Sequence, residues 1–570
     1  MIASVVLLGL VLVIAAVIVV GVRATAGSRD TEVGAAPQTS ARRVVVFILL
    51  FALVVIAAIG LSGLVGRLLG SSDILISDDV TGLARSLAFT LIAGPLAAVL
   101  WWTQWRRLRG GERASVSWGL YLAAMSTVSL VTAAVALLTG LAVLVRGEWQ
   151  PQAIATGIVW AGVWAWHRWM LRHRDKSPVR LVTTAPVIGW VFGLLLAAGG
   201  AITMLSSLVD AAVESLLTPV SVGDPWWILS VQALIWLLGG GIVWWWHWYH
   251  DGARALLGGL ADVALVVVGT TLAAIVGVAG LATTLFVVLR LMLDPSEAVG
   301  LIVEPLGVAV GAALIGPLVW RYHHGRLHSR RHTTRLAAGV LAAGVGVVAA
   351  ASGLGVIVNA VLAGVTPSLV GSDARTLLLG GLSALLVGGP VWWVAWKPTT
   401  VVDAATAASA VRRLYLIIVF GLSAVVAIIT LLVIGYRIFE YVLGDVPGAG
   451  LLDRVRAPLG LLAATGLVAA YHFVVWKRDR SLIAATPRSE PRIARVILVT
   501  EVDPGPLAQA VTDATGAAVT VWRATASRES GAAATPEQLA EALANVVAQR
   551  VLVVMGPEDR IDVIPLQDQD

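Results

Sequence analysis

An all-α polytopic membrane protein is predicted, with about 13 transmembrane helices built largely as six parallel helical hairpins and followed by a small C-terminal α/β domain. Three observations predict it. The 570-residue chain has a mean hydropathy of +0.88 and only 13% charged residues, against about 25% in a soluble domain. Apolar stretches of 20 or more residues recur along it, and about 20 helical residues cross a ~30 Å hydrocarbon core. After residue 493 this texture gives way to short alternating segments between turn residues, the mark of strands.

The first span is residues 2–22. Ala24-Thr25-Ala26 resembles a signal-peptidase site, but a signal has a basic n-region before a shorter apolar core. Here the first basic residue is Arg23, after the core. Residues 1–23 are therefore expected to be an uncut anchor. Polar residues 24–41 form a linker, expected to be cytoplasmic.

Twelve further spans follow in pairs. The second member of each pair ends on a common pattern: "GPLAAVLW" (94–101), "WAGVWAWH" (160–167), "GGGIVWWWH" (239–247), "GPLVWRYH" (316–323), "GPVWWVAW" (389–396) and "TGLVAAYH" (465–472). The closing residue recurs about every 75 positions, which makes the unit a helical hairpin. The boundaries are 42–113, 114–180, 181–254, 255–332, 333–410 and 411–480, with a linker at 481–492. A unit of two helices enters and leaves on one side, so the copies are parallel. Inverted repeats, found in many ion-coupled transporters, need an odd number of helices per unit.

Charge gives the orientation. The joints between hairpins, with both flanks from Arg23 to Arg480, carry 25 basic and 8 acidic residues, whereas the turns within hairpins carry 8 and 14. Basic residues beside helix ends mark the cytoplasmic side. The joints and the C-terminus are therefore expected inside, the turns and the N-terminus outside, in a bacterial inner membrane.

Paired helices whose second member has a Gly/Pro break and a Trp/His-rich basic ending resemble a bacterial membrane domain of unknown function. The resemblance covers roughly residues 42–480. It implies membrane helices and brings no substrate or active site.

Residues 493–570 read β-α-β-α-β-β. The strands are 494–501, 517–524, 549–556 and 560–566, with helices over 506–515 and from Thr535. Thr535-Pro536-Glu537-Gln538 opens the second helix as a capping box with proline at the first helical position. The segment carries 5 basic and 11 acidic residues, net −6, and is expected to be repelled by anionic lipid and by nucleic acid.

Candidate chemistry is sparse. With no cysteine there is no disulfide, thiolate metal site or cysteine nucleophile. All nine histidines (167, 173, 247, 250, 323, 324, 328, 332 and 472) and 16 of 23 tryptophans sit at the ends of second helices or in the joints beyond. His167, His247, His323 and His472 occupy matching positions and suit metal or haem ligation. Trp101 and Trp396 stand there in the other two copies, however, and neither ligates a metal. Headgroup anchoring by Trp244, Trp245, Trp246 and His247 is the expectation, because amphipathic rings favour the interface.

No charged residue falls in the middle of a span, which argues against a proton relay or voltage sensor. Gln232, Asn359 and Thr270-Thr271 are expected to hydrogen-bond between helices, and Gly94-Pro95, Gly316-Pro317 and Gly389-Pro390 to serve packing. Gly60-Leu61-Ser62-Gly63 resembles an intramembrane-protease serine motif, read here as chance in a chain rich in small residues. "TEVDPGP" (500–506) precedes a helix whose N-terminus suits an anion, and no standard nucleotide loop is present. No catalytic, cofactor-binding or metal-ligating residue is assigned. The expected protein is a non-enzymatic scaffold or regulator, with another protein or a small ligand as partner of its C-terminal domain. A channel or facilitator for an uncharged or lipid-like solute is the alternative.

Overall fold

The computed structural model describes residues 37–70, 80–108, 112–217, 225–294, 297–365, 374–399, 403–444, 450–485, 493–500, 504–523, 535–544, 546, 548–556 and 560–566. The predicted anchor at 2–22 lies outside them. The chain divides into two compact units, Met1–Lys477 and Arg478–Asp570.

Twelve long helices are described: α1 (Pro37–Leu69), α2 (Val80–Arg107), α3 (Val116–Leu144), α4 (Pro151–Arg172), α5 (Thr184–Leu217), α6 (Trp227–His250), α7 (Gly259–Leu293), α8 (Val299–Ser329), α9 (His332–Val365), α10 (Ala374–Trp396), α11 (Ala410–Leu443) and α12 (Leu451–Ala485). Eleven are long and apolar enough to cross a membrane, and the chain is a multipass membrane protein. The helix that falls short is α4. Its four tryptophans, with His167, Arg168 and Arg172, dilute its hydropathy below a typical span.

Lipid tails are as apolar as leucine, so the hydrophobic effect does not draw these helices together. Close packing does. In consecutive pairs, glycines let backbone meet backbone. A Cβ on Gly193 of α5 would collide with the backbone nitrogen of Trp244 in α6, and one on Gly346 of α9 with that of Trp392 in α10. Gly280 meets Ala313, and Gly316 meets Gly277, across α7 and α8.

The pairs then associate two by two. α1 packs on α4 through Gly66 against Gln152, α5 on α8 through Gly311 against Ile202, and α9 on α12 through Gly355 against Gly460. Each set of four helices is closed by its first and last members. Neighbouring sets join through α3–α6, where Leu138 meets Gly239, and through α7–α10, where Phe286 meets Gly380.

Pro317 and Pro390 lie inside continuous helices. Gly94-Pro95 follows a π-helical turn at Phe89–Ala93. Gly316 and Pro317 pack on Gly277, but Gly94 and Gly389 have open space where a Cβ would stand. The packing role thus holds for one of the three pairs.

In the C-terminal unit, β1 (Arg495–Thr500), α13 (Pro504–Thr515), β2 (Ala518–Arg523), α14 (Pro536–Leu543), β3 (Arg550–Met555) and β4 (Ile561–Leu566) follow the predicted order. The sheet order is β2-β1-β3-β4, parallel except for β4. Val496 and Leu498 of β1 and Val551 and Val553 of β3 are buried with Leu507, Val511, Leu539 and Leu543 of the helices. The reciprocal capping box of Thr535 and Gln538 forms as expected.

Two outcomes follow. A fragment of residues 493–570 melts cooperatively with mixed α/β far-ultraviolet dichroism, because its core is its own. A broad, featureless melt contradicts this. In the membrane unit, Gly193→Ala costs about 1–3 kcal/mol by overpacking, whereas Gly199→Ala, with nothing within 4 Å of its Cβ position, is neutral in the same thermal assay.

Candidate functional site

The histidines and most of the tryptophans gather at the joint end of the helices, where one pair passes to the next, while Arg290, Asp294 and Glu297 form an ion group at the turn end. The four matched histidines are all buried there: His167, His247, His323 and His472 are at most 4% exposed. This corrects the expectation that His247 anchors at the headgroups. The exposed rings at this end include Trp102, Trp169, Trp245 and Trp393 with Tyr249, Tyr322 and Tyr471, and these suit an interfacial belt.

Three of the histidines share one geometry. Nδ1 of His167 lies 2.7 Å from the Val163 carbonyl, that of His323 2.9 Å from Val319, and that of His472 2.8 Å from Val468. A carbonyl only accepts, so Nδ1 carries the proton and donates one turn back along its own helix. Nε2 is left as acceptor on the neighbouring helix. Tyr121 of α3 donates its hydroxyl to His167 Nε2 at 3.0 Å, and Tyr415 of α11 approaches His472 Nε2 at 3.5 Å. In His323 this atom lies among the rings of Trp190 and Trp248 and makes no hydrogen bond.

His247 differs because a π-helical turn, Trp246–His250, re-aims the end of α6. Its ring packs on Gly189, and its Nδ1 lies 2.7 Å from Asp251 Oδ2. Asp251 also takes Arg168 at 2.5 and 2.7 Å and Arg172 at 2.7 Å. The Arg168 guanidinium lies over the rings of Trp164 and Trp246. Burial opposes ionisation of the Asp251 carboxyl, but the hydrogen bonds and charges of Arg168 and His247 outweigh it and hold the carboxyl well below the usual range. This cluster locks α4 to the end of α6.

Two buried tryptophans tie second helices together. Trp248 Nε1 donates to Tyr322 at 2.9 Å, and Trp396 Nε1 donates to Tyr471 at 2.6 Å. A cavity of about 780 Å³ lies between α7, α8, α9 and α10, walled by Gly277, Leu281, Pro317, Pro390 and Val394 among others, with His324, His332 and Arg335 at its joint end.

Gln232 donates to the Ala142 carbonyl of α3, and Asn359 accepts from Arg456 of α12, both between helices as expected. Thr270 and Thr271 instead donate to Val266 within α7, whose turn at Leu265–Leu272 is π-helical. The Ser62 hydroxyl donates to Ala58 in its own helix. Of "TEVDPGP", residues 501–503 lie outside the described residues. Among the described residues no three His, Asp or Glu side chains gather to hold a metal ion.

Tyr121, Tyr415 and Asp251 escaped the sequence reading. A signal existed for the tyrosines. Each lies six residues after the serine that caps its helix, Ser115 or Ser409.

These features belong to a membrane domain, and one comparison with known proteins returns a match of that kind. The family profile of a domain of unknown function, DUF5671, matches residues 43–166 and again 337–467. The first match covers most of α1–α4 and the second most of α9–α12, so each spans one four-helix set. No curated protein and no solved structure matches the chain.

Asp251→Asn removes the charge that two arginines and His247 share, and costs about 2–4 kcal/mol in the thermal transition of the detergent-purified protein. The sign with pH follows from the depressed carboxyl. Its contribution is full above about pH 4, the unfolded value, and is lost only as pH falls through the lower folded value. The wild-type advantage over Asp251→Asn is therefore the same at about pH 5 as at about pH 8. Tyr121→Phe strips the buried His167 of its donor and costs about 1–2 kcal/mol.

Proposed function

We propose that this protein is a non-enzymatic scaffold or regulator of the bacterial inner membrane. Six helical-hairpin repeats form its platform and the C-terminal α/β unit is its cytoplasmic interaction domain. The observation that carries this reading is the backbone-to-backbone packing within pairs. At Gly193, Gly280, Gly316 and Gly346 a single methyl group has no room, which leaves no path for a solute between paired helices. The buried histidines support it, since most of their ring nitrogens are taken up by fixed partners. The C-terminal unit supports it by having a core of its own.

The proposed topology has thirteen spans, with the N-terminus outside and the α/β unit inside, as the basic joints imply. Reporter fusions after Gln150 and after Ala484 then report opposite sides, and the same side for both overturns it. Proteoliposomes carrying the protein are expected to take up glycerol and short-chain alcohols no faster than protein-free vesicles. Accelerated uptake that scales with protein content overturns the scaffold reading.

A further inference from the structure

Two junctions join the four-helix sets, and they are built on one register but finished differently. In α6 the contact of Gly193 with Trp244 is followed by the buried Trp248. In α10 the contact of Gly346 with Trp392 is followed, at the same spacing, by the buried Trp396. On this register the first junction has Trp246 and His247 where the second has Val394 and Ala395. Position 251 holds an aspartate, position 399 a threonine. Counting from the buried His167 and His323, Trp164 corresponds to Trp320, and Arg168 to His324.

The first junction is therefore filled by two rings and closed by the Asp251 carboxylate under Arg168 and Arg172. The second lacks both rings, and the cavity of about 780 Å³ stands in the gap. Among the described residues no carboxylate lines it. Its joint end instead carries His324, stacked on Trp320, with His332 and Arg335. On the same register Arg335 and His332 replace Val182 and Val179. Arg335 has no ion-pair partner among the described residues. Asp403, whose carboxylate interacts electrostatically with His332, is itself engaged by the backbone of Thr406 at the start of its own short helix.

Below this basic rim the walls are apolar. From Ala273 to Leu281 they descend about 12 Å along α7, at 1.5 Å per residue. Leu281 and Val394 are 41% and 71% exposed, so the cavity opens sideways, in the direction lipid occupies in a membrane.

We propose that this second junction binds one anionic glycerophospholipid from the leaflet at the joint end. An acyl chain takes the place of the missing rings. The phosphate, held by Arg335, His324 and His332, takes the place of the missing carboxylate. The proposal rests on the chain's being a membrane protein and not on its scaffold role, so failure of one leaves the other standing.

Native mass spectrometry of the full-length protein in detergent tests it, with phosphatidylglycerol and phosphatidylcholine of identical chains as probes. One phosphatidylglycerol per chain is retained about tenfold better than phosphatidylcholine, whose phosphate bears the same charge but whose choline cation is repelled by the basic rim. Equal retention of the two lipids overturns the proposal without any variant. Arg335→Gln lowers retention of both lipids and that of phosphatidylglycerol more, so the preference shrinks. Gly339→Leu, at a lining position with nothing within 4 Å of its Cβ, and Val394→Trp, which restores the ring of the first junction, each lower retention of both lipids. Undiminished phosphatidylglycerol in either filling variant also overturns the proposal.

Discussion

Contact between helix backbones at glycine sets the distances on which the rest of the membrane unit depends. Where Gly193 admits the backbone of Trp244 and Gly346 that of Trp392, the paired helices cannot slide or part without losing the dispersion contacts that hold them in lipid. The large side chains are then placed by that spacing. Trp248 and Trp396 follow four residues beyond their contacts and bury fully, each donating to a tyrosine of the next second helix.

The same constraint accounts for the inward histidines. A ring squeezed between close helices has no water to satisfy it, so both nitrogens need protein partners. A carbonyl one turn back satisfies the first and fixes the tautomer. The second nitrogen reaches a tyrosine where the facing helix supplies one. Where it supplies none, as around His323, Trp190 stacks on the ring and Trp248 meets it edge-on instead. Of the four matched histidines His247 is the one in an ion pair, and it belongs to the helix whose final turn widens to π-helix. That widening places Asp251 under the arginines of α4.

Viewed by sets of four helices, the membrane unit is more ordered than its pairs suggest. First and last helices close each set, and the third helix of one set meets the second of the next. The two matches to the domain of unknown function each fall on one such set, while α5–α8 closes in the same way without a match. The junctions between sets are where the sequence varies chemically. One is sealed by an ion cluster and the other is left open and basic.

Much of this was legible in the sequence, for reasons that differ by element. Hydropathy alone gives a membrane class, because only helices and closed barrels satisfy the backbone in lipid. The Thr535 capping box and the strand order of the C-terminal unit are local patterns, and local patterns survive folding. The helices α1 to α12 are apolar nearly all round, so no stripe in the sequence says which face meets which neighbour. Pairing of Arg168 with Asp251, 83 residues apart, is invisible for that reason. So is the inward turn of the histidines, since a ring at a helix end reads the same whether it faces headgroups or a neighbour. The sequence by itself determined the class of protein, the placement of its helices and strands, and the concentration of rings and charge at one end. Only the tertiary structure decided which rings are buried, which helices close each set and which junction stays open. Those choices depend on distances between glycine-thinned backbones, and a residue order carries no distance.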